Sequence, residues 1–168
     1  AGICVTRTAS KAPYRKGLKH LLRELDTHRG IYLSSGYEYP ERYSRWDIAA
    51  LRPPLEIVAW GRRVECRPLN LRGEIISQML LAVLGNHPQW DSLDLCAGAL
   101  CGTLKPLPAL FPEEERSKQP SVFSILRALT REFHNPKDSR LGLVGAFGYD
   151  LLFQFDPIQF KLERGRQK

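Results

Sequence analysis

At 168 residues the chain fits one domain, large enough to bury roughly 70% of its unfolded surface without metal or disulfide help. Its 43% hydrophobic and 10% aromatic content is ordinary for a globular protein, and no apolar run approaches the ~20 residues that span a bilayer. The net charge of +7 invites a nucleic-acid reading. Against it, Arg7, Lys11, Arg15, Lys16, Lys19 and Arg23 near the start and Arg62, Arg63, Arg67 and Arg72 in the middle are scattered. No zinc finger, RRM-type core or basic arm accompanies them, so nucleic acid is not the expected partner.

Taken in chain order, Ile3 to Thr8 alternates as a short strand. The start lacks a charged-then-apolar signal region and an initiating Met, so the expectation is a cytoplasmic chain that begins inside a longer reading frame. Leu18, Leu21, Leu22 and Leu25 recur at helical spacing and predict an amphipathic helix from Arg15 to about His28, stopped by Gly30. A strand follows at Ile31–Ser35, then an irregular stretch around Pro40. Another strand is expected from Arg45 to Ala50, ended by Pro53 and Pro54. Leu55–Trp60 and Val64–Leu69 flank Gly61 and two arginines, a hairpin signal in which Pro68 belongs at an edge or at its strand's own end.

Ile75, Ile76, Met79, Leu80, Val83 and Leu84 predict a second helix over 74–84, closed by Gly85 and Asn86. Residues 86–120, with five prolines and the acidic triplet Glu113 to Glu115, read as a turn-rich excursion. Ser121 offers a cap for a third helix carrying Val122, Ile125, Leu126, Leu129 and Phe133, broken at Asn135 and Pro136. The last feature is the apolar run from Gly142 to Asp150, interrupted by Gly145 and Gly148. It is expected to be a glycine-bearing strand, with the glycines marking a bulge, bend or close approach. The fold class is therefore α+β: largely antiparallel or mixed β-sheet layers with about three flanking helices, because strict βαβ alternation is absent.

Catalytic groups do not assemble. Ser34, Ser35 and Ser44 have no companion base, and Glu38, Glu41, Asp47 and Asp150 are grouped by no motif. The cysteines at 4, 66, 96 and 101 lack zinc spacing and read as buried or half-buried free thiols, although Cys96 and Cys101 are close enough in sequence to pair. No catalytic residue and no metal ligand is expected here.

Three motifs change the reading when taken together: Tyr32-Leu33-Ser34-Ser35, Glu41-Arg42-Tyr43-Ser44, and Leu143-Val144-Gly145-Ala146-Phe147-Gly148-Tyr149-Asp150. In order and separation they resemble the N-terminal domain of the large subunit of anthranilate synthase, in the branch fused to its glutamine amidotransferase. That family carries Leu-Leu-Glu-Ser at a strand end, then Gly-Arg-Tyr-Ser, then a glycine-rich Tyr-Asp segment. The resemblance covers 1–163, with 164–168 as a severed linker toward a catalytic domain.

The resemblance implies an enzyme (a lyase) that converts chorismate and glutamine-derived ammonia into anthranilate and pyruvate, with this fragment inactive alone. It implies L-tryptophan as feedback effector at Leu33, Ser34 and Ser35, with Tyr43, Ser44 and Arg45 as further candidates. Ser34 stands where the family has glutamate. Gly145, Gly148, Tyr149 and Asp150 are expected at the junction with the C-terminal chorismate-binding domain, which also holds magnesium. Aminodeoxychorismate, isochorismate and salicylate synthases share the domain. A basic nucleic-acid module and a protein-interaction domain are the alternatives of another class.

Overall fold

A computed structural model describes residues 3–35, 39, 42, 46–107, 114, 119–138 and 141–155. Three α-helices are present among them: α1 (Tyr14–Leu25), α2 (Leu71–Leu84) and α3 (Val122–Phe133). They surround six strands: β1 (Gly30–Ser34), β2 (Asp47–Leu51), β3 (Leu55–Trp60), β4 (Arg63–Pro68), β5 (Trp90–Cys96) and β6 (Ala99–Leu104). β1 and β2 form a two-stranded sheet, and the rest form a four-stranded sheet in the order β3-β4-β6-β5. Every pairing is antiparallel, so the fold is α+β as expected.

Alternation decides which face of the larger sheet is buried. Val64 and Cys66 of β4 and Leu100 and Leu104 of β6 point inward, where Leu80 and Leu84 of α2 and Val122, Ile125 and Leu129 of α3 meet them. The opposite face carries Glu56, Glu65 and Arg67, with Arg67 bidentate to Glu65 at 2.8 and 2.9 Å. The β3–β4 turn holds Gly61 at φ +55°, as its position in the hairpin signal requires. Pro68 closes β4 opposite Leu55, beyond the four residues that pair with β6, so its missing N–H costs no central ladder bond.

Several expectations are corrected. The stretch 86–120 contains a full hairpin, β5–β6, turned by Ala97 and Gly98, both at positive φ (51° and 82°). A register shift between Trp90 and Ser92 lets the Trp90 ring lie over Gly102; a Cβ there would stand 2.5 Å from the ring. Ile3 to Thr8 forms no strand, because nothing among the described residues offers it a ladder. Helix α1 ends at Leu25, and none of its residues is fully buried. In α2 the buried residues are Gly73, Ser77, Leu80 and Leu84, while Ile75 is 60% exposed. Cys66 is buried and Cys101 half-buried, but Cys4 and Cys96 are exposed; all four are free thiols.

Helix α3 is capped by a residue the sequence did not suggest. The Ser121 side chain makes no cap bond. Instead Gln154, buried in a 3-10 helix at Tyr149–Gln154, accepts from the Val122 N–H through Oε1 at 2.9 Å. Its Nε2 donates to the Gly61 carbonyl at 2.7 Å, joining α3 to the β3–β4 turn.

Candidate functional site

The expected effector residues lie at the end of the β1–β2 pair where residues 35–46 connect the two strands. Directly opposite residues of an antiparallel pair share a face, and neighbours along a strand alternate. Leu33 pairs with Ile48 and Ser34 with Asp47, so Leu33 and Ser34 project to opposite faces. Leu33 is half-buried and Ser34 exposed. Ser35 follows the strand, and its N–H donates to the Trp46 carbonyl at 2.9 Å, extending the hairpin by one bond. Tyr43, Ser44 and Arg45 lie outside the described residues.

The Ser34 face carries a feature that no sequence motif grouped. Asp47 accepts from the Tyr32 hydroxyl through Oδ1 at 3.0 Å and from the Tyr14 hydroxyl through Oδ2. Tyr32 is two residues from Ser34 on the same face, and Tyr14 comes from the first turn of α1. The carboxylate is thus oriented by two phenols beside Ser34. Trp46, next to it in the chain, is 51% exposed. The pattern could have been read only from the hairpin register, which places 34 against 47.

The glycine-bearing run is not a strand. Residues 142–148 pair with no described strand, and Tyr149 and Asp150 open the 3-10 helix. Gly145 and Gly148 have open space where a Cβ would stand and neither has a positive φ, so they mark no close approach or bend here. Tyr149 is 82% exposed. Phe147 leans on Phe123 of α3, with ring centroids 5.2 Å apart, and Phe155 stacks on Phe123 from 5.9 Å. These contacts leave an apolar groove of about 420 Å³ between α3 and the run, lined by Phe123, Leu126, Thr130 and Phe147 and rimmed by Arg127, Arg131 and His134. A second groove, of about 510 Å³, runs past His28, Arg29, Arg52 and Arg72. Neither groove includes an expected effector residue.

Several of the arginines are engaged in holding the fold. Arg29 pairs with Glu56 at 2.6 Å, Arg52 with Glu24 at 2.9 Å and Arg7 with Asp138. Arg62 donates to the Pro120 carbonyl at 2.7 Å, and burial lowers its pKa from the ordinary guanidinium value. Among the described residues no three His, Cys, Asp or Glu side chains converge as a metal site. Nor is any described helix long and apolar enough to cross a membrane.

The chain is 40% identical over 163 residues to "Anthranilate synthase" of Azospirillum brasilense, an alignment that covers 97% of this chain. It spans 22% of that relative's length, so the relative runs to about 740 residues and the chain corresponds to a piece of it. No protein-family profile matches, and no solved structure matches. The resemblance read from the three motifs is borne out: this chain is homologous to part of an anthranilate synthase.

Proposed function

We propose that this chain is the N-terminal, regulatory domain of an anthranilate synthase of the type fused to its glutamine amidotransferase. The observation that carries the reading is 40% identity sustained over 97% of the chain, with the three motifs in family order. A relative of about 740 residues has room for several further domains of ordinary size. The intact enzyme would convert chorismate and glutamine-derived ammonia into anthranilate and pyruvate. Magnesium and the acid–base groups would belong to the chorismate-binding domain.

The role of this domain is control. L-Tryptophan would bind at the strand end of Leu33, Ser34 and Ser35, with Tyr43, Ser44 and Arg45 nearby in sequence, and would favour an inactive arrangement of the two domains. Two hydroxyls do not suffice. Micromolar binding needs about −8 kcal/mol, whereas hydrogen bonds to charged groups supply ~1.5–3 kcal/mol each against an association cost of ~4 kcal/mol or more. The indole slot must therefore be completed by the chorismate-binding domain. Gly145, Gly148, Tyr149 and Asp150, exposed here, would lie at that junction.

The test is Ser35→Phe in the full-length enzyme, read as anthranilate formation against tryptophan concentration. The bulky ring should raise the inhibition midpoint at least tenfold while activity without tryptophan is retained. An unchanged midpoint sinks the site assignment. Anthranilate as product separates this reading from aminodeoxychorismate, isochorismate and salicylate synthases.

A further inference from the structure

The effector reading leaves the ligand's ammonium without an anionic partner, because the position that holds glutamate in the family is Ser34. The hairpin register supplies one from the other strand. Ser34 and Asp47 are directly opposite. Their Cβ atoms therefore stand roughly 4.5–5.5 Å apart on one face, and a group docking on Ser34 meets the Asp47 carboxylate. That carboxylate is fixed in place. Tyr32 Oη donates to Oδ1 at 3.0 Å and Tyr14 Oη donates to Oδ2. An ionised carboxylate has about four acceptor positions, and the two phenols take one on each oxygen.

We propose that Asp47 binds the ammonium of an aromatic α-amino-acid effector, in place of the side chain replaced by Ser34, with Tyr14 and Tyr32 as its positioning residues. The proposal rests on the reading of this strand end as the effector site. It commits to a ligand that carries an ammonium, which Asp47 faces. A carboxylate held by two phenols also serves as an anchor of α1 on the hairpin. The experiment must therefore read something an anchor would not change.

That readout is the preference for tryptophan over 3-indolepropionate, which keeps the indole and the carboxylate and lacks the amine. In the full-length enzyme, inhibition midpoints for both compounds are measured for the wild type, Asp47→Asn, Asp47→Glu and Ser34→Glu. Wild type is expected to prefer tryptophan by about ten- to a hundredfold, the range of one hydrogen bond to a charged group. Asp47→Asn should raise the tryptophan midpoint by that factor and leave the indolepropionate midpoint within about twofold. Asp47→Glu should keep most of the preference. Ser34→Glu leaves Asp47 and both phenols in place and tests the idea even if the asparagine variant fails to fold. Because a carboxylate already serves the ammonium, its preference should change by less than about threefold.

A wild-type preference that survives in Asp47→Asn overturns the proposal, as does a tenfold or larger gain in Ser34→Glu. If tryptophan does not inhibit the wild-type enzyme at all, the effector reading itself falls. If tryptophan inhibits and indolepropionate does so equally well, the effector reading stands and Asp47 is only an anchor.

Discussion

Replacing Gln154 by leucine isolates one buried polar side chain that joins three parts of the fold. Gln154 is 5% exposed, and its two amide atoms are both used. Oε1 takes the Val122 N–H at 2.9 Å, a group at the start of α3 that has no intrahelical acceptor, and Nε2 gives to the Gly61 carbonyl at 2.7 Å. Leucine keeps the approximate volume and removes both bonds. Val122 is 3% exposed, so its stranded N–H is not rehydrated and costs about 1–3 kcal/mol. Gly61 is exposed, so its carbonyl turns to water and only the net bond is lost, about 0.5–1.5 kcal/mol. The sum is about 1.5–4.5 kcal/mol, a large share of the 5–15 kcal/mol that holds most domains. At about 2–4 °C per kcal/mol for a chain of this size, the Tm should fall by roughly 3–18 °C. Urea unfolding followed by circular dichroism gives the free energy, and a parallel thermal melt gives the Tm. A loss below about 0.5 kcal/mol would show that water replaces the amide at the α3 terminus and that the cap is incidental.

Two further outcomes follow from burial and from its absence. Burial, more than the nearby Cys101 and Glu65, pushes the Cys66 thiol up to about 11 from 9.0. The unfolded thiol ionises first as pH rises, so the Cys66 contribution is intact below pH 9 and lost between pH 9 and 11. The loss is roughly 2–3 kcal/mol at 1.36 kcal/mol per unit. A Cys66→Ala variant should lose less stability than wild type across that window, and parallel urea-derived stability curves would refute the assignment. For the glycine-bearing run, hydrogen exchange on the full-length enzyme should find the amides of residues 142–150 slowed at least a hundredfold relative to free-chain rates, because a domain junction would cover them. Free-chain exchange throughout would remove the junction role of Gly145, Gly148, Tyr149 and Asp150.

What the sequence disclosed followed local chemistry, and what it hid depended on partners distant in the chain. The β3–β4 hairpin was legible because Gly61 sits at a turn between two apolar runs, and its positive φ is a local demand. The β5–β6 hairpin was not, although its turn residues Ala97 and Gly98 are as specific. The register shift beside Trp90 breaks the period of two, and the surrounding prolines at 88, 106, 108, 112 and 120 suggest a loop. The second helix was placed correctly and its buried side was not. Ile75, Ile76, Met79, Leu80, Val83 and Leu84 fill one half of the cylinder, but Leu71, Leu81 and Ala82 extend the apolar surface around most of the rest, so spacing does not choose a face. Only the sheet it packs on makes Ser77 a core residue and leaves Ile75 outside. Gln154 read as one polar residue in an apolar run, since its two partners lie 32 and 93 residues away.

The same dependence explains the glycine-bearing run and the strand end together. A strand is stable only as a member of a ladder, and an unpaired one exposes both its amides and its apolar side chains. Residues 142–148 have the composition of a strand but pair with no described strand; Leu143, Val144 and Phe147 are 45%, 47% and 67% exposed. Their glycines answer no local need, since none has a positive φ and each faces open space. Nothing within the described residues therefore accounts for glycine at those positions, whereas close approach by another backbone would. At the proposed effector site the logic is reversed. The hairpin and Tyr14 of α1 supply Ser34, Ser35 and an oriented Asp47, but the two faces are divided between Leu33 and Ser34, and neither of the two grooves described includes them. A pocket for an indole needs a second wall. Polar recognition in this domain and apolar closure from another would make effector binding depend on how the two are arranged, which is the thermodynamic condition for feedback control.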